Sequence, residues 1–152
     1  MIPKFRFYSK RMNKIGIVIS LKPLRNRVYV EWDDTLSGTE NIDDNGILMQ
    51  STGLLDKKGN DVFEGDVVEL HHFTENYSTT GGFYEGEESL VGVVRYGYTD
   101  DEIKYFGKVY PPRWFFENRY RVLDFSDLSG LHEESFKIIG DIYQNPELVE
   151  VE

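Results

Sequence analysis

Apolar and polar positions alternate along much of this chain. Lys4-Phe5-Arg6-Phe7-Tyr8 has the two-residue period of a half-buried strand, with Phe5 and Phe7 on the inward face. Ile15, Ile17 and Ile19 share one side of a second extended run, which Gly16 weakens and Pro23 ends. Arg27 to Trp32 forms a third, with Val28 and Val30 opposed to Tyr29. The acidic, polar stretch from Asp33 to Gly46 reads as a loop. Further runs rich in β-branched and aromatic residues cover 67–73, 90–96, 114–125 (with a break at Asn118) and 136–143. Residues 74–89 lack a helical period and read as an exposed excursion, a long hairpin tip. A short helical turn is expected around Leu128 and Leu131. Another follows Asn145-Pro146, with Asn at the N-cap and Pro at the first helical position. No segment shows a long amphipathic helical period, so the patterns predict a mostly β fold with at most short helical turns.

The stretch from Leu48 to Val68 holds the densest backbone signals. Thr52-Gly53 breaks an apolar run. Asp56-Lys57-Lys58-Gly59 has Asp first and Gly fourth, the chemistry of a type I turn. Glu64-Gly65-Asp66 interrupts an extended segment that Val67-Val68 resumes, and a Gly there points to a bend or a positive φ. Corners of this kind let a small β-barrel or pseudobarrel change direction. Asp56 is expected to make the turn, while Glu64 and Asp66 satisfy backbone donors around Gly65.

The chain of 152 residues is long enough for a real core and is read as one domain over 1–152, with possible sub-structure at 1–46 and 47–152. It has no Cys, which removes disulfide and thiolate chemistry and fits a reducing compartment. No apolar run approaches the roughly 20 residues of a membrane span, and no signal peptide is evident.

A net charge of −10 conceals a division. Residues 1–30 carry eight Lys and Arg and no acid, whereas the remainder holds the other nine bases and all 27 acids, a net −18. The basic segment, Arg25 and Arg27 included, is a possible nucleic-acid contact. The net charge disfavours that use at long range. The alternative is that the segment packs against the acidic remainder of its own fold.

Catalytic and metal chemistries find little footing. His71 and His72 are adjacent on a strand and point to opposite faces, so they do not readily share one ion, and only His132 could join them. Asp56, Asp61, Glu64 and Asp66 lack the spacing of a calcium loop. Gly81 to Gly86 lacks the Lys-Ser/Thr of a phosphate loop, and no nucleophile elbow is present. No catalytic residue, cofactor or metal ligand is therefore assigned. Tyr8, Tyr29, Trp32, Tyr96, Tyr98, Tyr105, Trp114 and Tyr120 are numerous for a small barrel; they serve either as core-edge residues or as a recognition surface.

Three segments carry a family resemblance: Lys4-Phe5-Arg6 followed by Phe7-Tyr8; Met49 to Gly59 with Val62 to Val68; and Ile139-Gly140-Asp141-Ile142-Tyr143-Gln144-Asn145-Pro146-Glu147-Leu148. In this order they resemble the YopX family of phage and prophage proteins. The resemblance implies a small β-rich fold with an SH3-like barrel, acting in the cytoplasm of a bacterial host. It brings no assigned activity, cofactor or catalytic residue. It marks Gly53, Asp56, Gly59, Glu64, Gly65, Asp66, Gly140, Asn145 and Pro146 as motif positions, read here as structural. The leading expectation is a non-enzymatic accessory protein that binds another protein or forms a homo-oligomer. The alternatives are a nucleic-acid-binding regulator and an acidic mimic of DNA.

Overall fold

The computed structural model describes residues 4–77, 81–107, 111–124 and 136–149. It is mostly β. The first sheet has six strands in the order β4-β3-β2-β1-β5-β6, and the second has five in the order β10-β9-β8-β7-β11. The strands are β1 (Phe5–Ser9), β2 (Lys14–Lys22), β3 (Arg27–Glu31), β4 (Ser37–Asn41), β5 (Gly46–Leu55), β6 (Asp61–Phe63), β7 (Asp66–Tyr77), β8 (Phe83–Gly97), β9 (Arg113–Glu117), β10 (Val122–Asp124) and β11 (Phe136–Asp141). All described pairings are antiparallel. Neither sheet closes on itself among the described residues; the corner between β6 and β7 joins two open sheets.

Two buried clusters form among the described residues, and the second takes in Val62 from β6 of the first sheet. In the first, Phe7, Val28 and Val30 are buried together, with Val18, Leu21, Trp32, Ile42 and Leu48 packed around them. Alternation along β3 produces this directly, since Val28 and Val30 point in while Tyr29 points out. Gly16 does not interrupt β2: a Cβ there would lie 2.5 Å from Val30 and 2.8 Å from Trp32, so its bare backbone admits both side chains. Ile19 is the extra residue of a β-bulge. The bulge sets Leu21, rather than Ser20, opposite Val28, where Leu21 joins the core.

The second core holds Val62, Val68, Leu70, Val94 and Phe116, with Leu90, Trp114, Leu123, Phe136 and Ile138 against it. Burial of each such side chain contributes roughly 1.5–3 kcal/mol. Asn118 turns the chain between β9 and β10, its Oδ1 accepting the N–H groups of Tyr120 at 2.9 Å and Arg121 at 2.8 Å.

Register shows how the first sheet meets the second. Met49, Arg6, Ile17, Glu31 and Ser37 are successive partners across β5, β1, β2, β3 and β4. Partners in register project from one side of a sheet. Along this one row, Met49 is fully buried, Arg6 is largely buried and Ile17 is open to solvent. The second sheet therefore covers β5 and β1 and stops short of β2. Phe7 and Leu48 form the neighbouring row and point to the other side, so β1 is buried on both faces rather than only on the Phe5–Phe7 face.

Other local expectations change. Asp33 to Gly46 is not loop throughout: β4 forms within it as an edge strand. Its sequence, Ser-Gly-Thr-Glu-Asn, has no apolar alternation because an edge strand needs little core contact. The excursion at 74–89 keeps its expected hairpin character, with β7 and β8 paired antiparallel as far as Tyr77 and Phe83. A π-helical turn forms at Glu102–Phe106. The helical turn expected around Leu128 and Leu131 lies outside the described residues, as does His132. Among the described residues no helix is long and apolar enough to cross a membrane.

Candidate functional site

The two sheets meet at the corner between β6 and β7, and the corner is polar. Gly65 has a φ of 87°, a conformation a side chain disfavours. An added Cβ would also lie 2.9 Å from the Tyr143 ring. The Gly65 N–H donates to Val94 O at 2.8 Å, its carbonyl accepts the Ile142 N–H at 3.0 Å, and the Glu64 N–H donates to Gln50 O at 2.9 Å. The bend is thus held from three sides.

Asp66 is 1% exposed. Its carboxylate accepts the Phe63 N–H at 2.8 Å and pairs with the guanidinium of Arg6, which also lies over the Phe63 ring. Burial pushes the Asp66 carboxyl up to about 6; the positive Arg6 pulls the other way and nearby Asp141 adds to the rise. Glu64 is also raised by burial, against the pull of Arg95. Burial, with the charge of Glu64 beside it, raises Tyr143, whose ring stacks on Tyr8 with centroids 5.1 Å apart. Asp66 binds a backbone donor at the bend, as the sequence suggests. Its ion pair with Arg6 has no local signal, because the partners are distant in the chain.

The other motif residues extend this cross-link. Gly53 and Gly59 take positive φ, Gly53 where the β5–β6 register shifts and Gly59 in the turn. The Gly59 N–H donates to Asp56 O at 2.9 Å. Asp56 does more than make that turn: its carboxylate accepts the N–H groups of Lys58, Asn60 and, from β11, Ile138. Asp141 accepts the N–H groups of Tyr143 and Gln144. Pro146 opens a 3-10 turn over Pro146–Leu148. Asn145 precedes it, but its side chain does not cap the turn; its Oδ1 accepts the Asp141 N–H at 3.2 Å instead. Gly140 leaves room for that amide, since a Cβ there would come within 2.7 Å of the Asn145 Oδ1.

The basic N-terminal segment divides in two. Lys4, Arg6 and Arg11 pair with Asp61, Asp66 and Glu40, all later in the chain. Lys22, Arg25 and Arg27 gather where β2 passes into β3: Lys22 and Arg27 are register partners and Arg25 lies in the 3-10 turn between them. All three are exposed and form no ion pair among the described residues. Leu24 projects fully into solvent among them.

Among the described residues, two open grooves have largely apolar linings. One, of about 760 Å³, runs over β1 and β2 and is lined by Phe5, Ile15, Ile17, Ile19, Trp32 and Phe63, with Glu31, Asp33, Asp34 and Asp61 also on its walls. Beside it Ile17 is 66% exposed, Ile19 57% and Tyr29 41%. The second, of about 730 Å³, crosses β8 over Val91 and Val93, beside Arg119, Tyr120 and the Arg95–Glu117 ion pair. Of the aromatics singled out in the sequence, Tyr8 is buried and Trp32 and Trp114 pack against the two cores, while Tyr29, Tyr96, Tyr105 and Tyr120 are exposed. The His71 imidazole lies 3.4 Å from Glu69. Among the described residues no three His, Asp or Glu side chains converge as a metal-binding group.

No curated protein matches the chain. Among solved structures it is similar to the crystal structure of protein EF1440 from Enterococcus faecalis, at 23% sequence identity and a TM-score of 0.54, covering 99% of each chain. That likeness is one of fold. The family pattern described as YopX protein matches residues 4–150. The motif positions it spans form the polar corner between the sheets, and the chain belongs to the YopX family.

Proposed function

We propose that this is a non-enzymatic accessory protein of a phage or prophage, acting in the cytoplasm of the bacterial host by binding another protein or a second copy of itself. The observation that carries this reading is the apolar stripe of Ile17, Ile19 and Tyr29. It occupies the part of the first sheet that the second sheet leaves uncovered. Exposed β-branched and aromatic side chains beside a groove are a common form of protein interface. The polar residues of the corner have structural duties instead: Arg6 and Asp66 neutralise each other and Asp56 is occupied by three backbone donors. The family resemblance supports the phage setting.

The test replaces Ile17 and Ile19 with Ser. Partner capture from phage-carrying cells, or self-association, is expected to fall at least tenfold with little change in Tm, because both side chains are already solvated. A wild-type protein that captures nothing and remains monomeric overturns the reading.

The exposed Lys22, Arg25 and Arg27 favour a second reading, nucleic-acid binding. It expects salt-dependent binding to single- or double-stranded probes that weakens on neutralising Arg25 and Arg27. No binding to either probe at low salt removes it.

A further inference from the structure

The end of the β2–β3 hairpin displays an apolar side chain that its own molecule does not cover. Leu24 is fully exposed in the middle of the 3-10 turn Pro23–Arg25. The turn is held in place. The Asn26 N–H donates to Pro23 O at 3.2 Å, and Asn26 O accepts the Ile42 N–H at 2.7 Å. Pro23 fixes one further dihedral. Lys22, Arg25 and Arg27 surround Leu24, all exposed and without an ion pair among the described residues. The tip is a preformed knob, apolar at its centre and cationic around it, and such a knob loses little conformational freedom on docking.

The groove over β1 and β2 has the complementary chemistry. Ile17, Ile19 and Trp32 line it, and Glu31, Asp33 and Asp34 stand on its walls. Two cations also line it, but each is engaged: Lys4 pairs with Asp61 and Arg6 with Asp66. Glu31, Asp33 and Asp34 form no ion pair among the described residues. A volume of about 760 Å³ leaves room for Leu24 and for the aliphatic stems of the cations beside it.

One molecule cannot bring tip and groove together by itself. Arg27 and Glu31 point to the same side of β3 but stand four residues apart, roughly 13 Å along a strand and beyond ion-pair reach. A nucleic acid would neutralise the tip but would leave Leu24 uncovered and be repelled by the groove. A second copy of the chain satisfies both features at once.

We infer that the Lys22–Arg27 tip of one molecule docks in the acidic-walled groove over β1 and β2 of a second molecule, with Leu24 against Ile17 and Ile19 and the tip cations against Glu31, Asp33 and Asp34. The inference rests on the proposed binding role and names the occupant of that surface as the protein itself. Each molecule is acidic overall, so the attraction is local; at physiological salt a Debye length of about 8 Å screens the net repulsion beyond the contact. One tip in one groove is a heterologous contact, which closes into a ring or extends as an open chain.

The test is sedimentation velocity on the full chain at physiological salt. It compares the wild type with Leu24→Ser, with a Lys22→Glu/Arg25→Glu/Arg27→Glu variant and with a Glu31→Lys/Asp34→Lys variant. Asp33 is left in place because it accepts the N–H groups of Thr35 and Leu36. The wild type is expected to self-associate and each variant alone to do so at least tenfold more weakly. An equimolar mixture of the two charge variants is expected to regain association, since each then offers the charge the other needs. All the replaced side chains are exposed. Circular dichroism and Tm report whether the variants fold; where a charge variant does not, Arg25→Glu and Asp34→Lys carry the same test. A monomeric wild type, association indifferent to Leu24→Ser or to either reversal, or a mixture of folded variants that stays monomeric overturns the inference. A monomeric wild type that binds a double-stranded DNA probe through the tip also overturns it and assigns the tip to nucleic acid. A monomer that captures a partner through Ile17 and Ile19 overturns self-docking and leaves the binding role standing; a monomer that captures nothing overturns both.

Discussion

Arg6 on β1 and Asp66 on β7 stand sixty positions apart in the sequence and form a largely buried ion pair that joins the two sheets. Asp66 also accepts the Phe63 N–H, so one carboxylate fixes both the bend and the contact across it. The pair has a large desolvation cost, and removing one partner is more damaging than its presence is stabilising.

Replacing Arg6 with Met leaves Asp66 buried without its counter-charge. At neutral pH this is expected to destabilise the protein by about 3–5 kcal/mol. The loss should shrink in mild acid, where Asp66 becomes neutral. Urea unfolding at neutral and mildly acid pH checks it, and an equal loss at both would show that Asp66 is not the stranded charge.

Asp66 should give stability a pH dependence of its own. Burial, opposed by Arg6, raises its carboxyl from the ordinary 3.8 to about 6. The folded state then holds the proton more tightly than the unfolded chain. The resulting contribution is fully present below pH 3.8 and is lost as pH rises through about 6. Wild type is therefore expected to lose stability relative to Asp66→Asn between these values, read from unfolding midpoints across the range. A constant difference between the two proteins would overturn the assignment.

Asp56 acts in the opposite sense. Burial alone would raise its carboxyl, but the N–H groups of Asn60, Ile138 and Lys58 together hold it below 3.8. Its contribution is present above that value and is lost as pH falls through the lower folded value. Asp56→Ala strands the three donors and is expected to cost about 2–4 kcal/mol at neutral pH. Asp56→Asn, which keeps one acceptor oxygen, should cost less. Denaturant unfolding of the two variants decides; equal, negligible losses would mean that water replaces the carboxylate freely.

Much of this architecture is legible locally. The Asp56–Gly59 turn, the break at Asn118 and the alternation of Val28, Tyr29 and Val30 depend on neighbours a few positions away, and the structure shows each of them. Where local reading falls short, a distant contact is responsible. Gly16 looks like a weak point in β2, yet it is the slot that admits Val30 and Trp32. Asn145 has the form of an N-cap, but its amide is taken by the Asp141 N–H. β4 carries no alternation to find, since an edge strand of polar residues is held mainly by backbone pairing to β3.

The surface relevant to function shows the same division. Ile15, Ile17 and Ile19 share a side by two-residue periodicity, but nothing local says whether that side is covered. Met49, Arg6 and Ile17 occupy one row, and the extent of the second sheet decides which of them meets water. The β class and the turns can be read from the chain alone, because dihedral preference and side-chain alternation are short-range, and the motifs that mark the family are themselves sequence. The meeting of Arg6 with Asp66, the reach of Asp56 to β11 and the exposure of Ile17 arise from packing. Burial and charge pairing depend on which segments meet in space, and that is settled only when the two sheets pack.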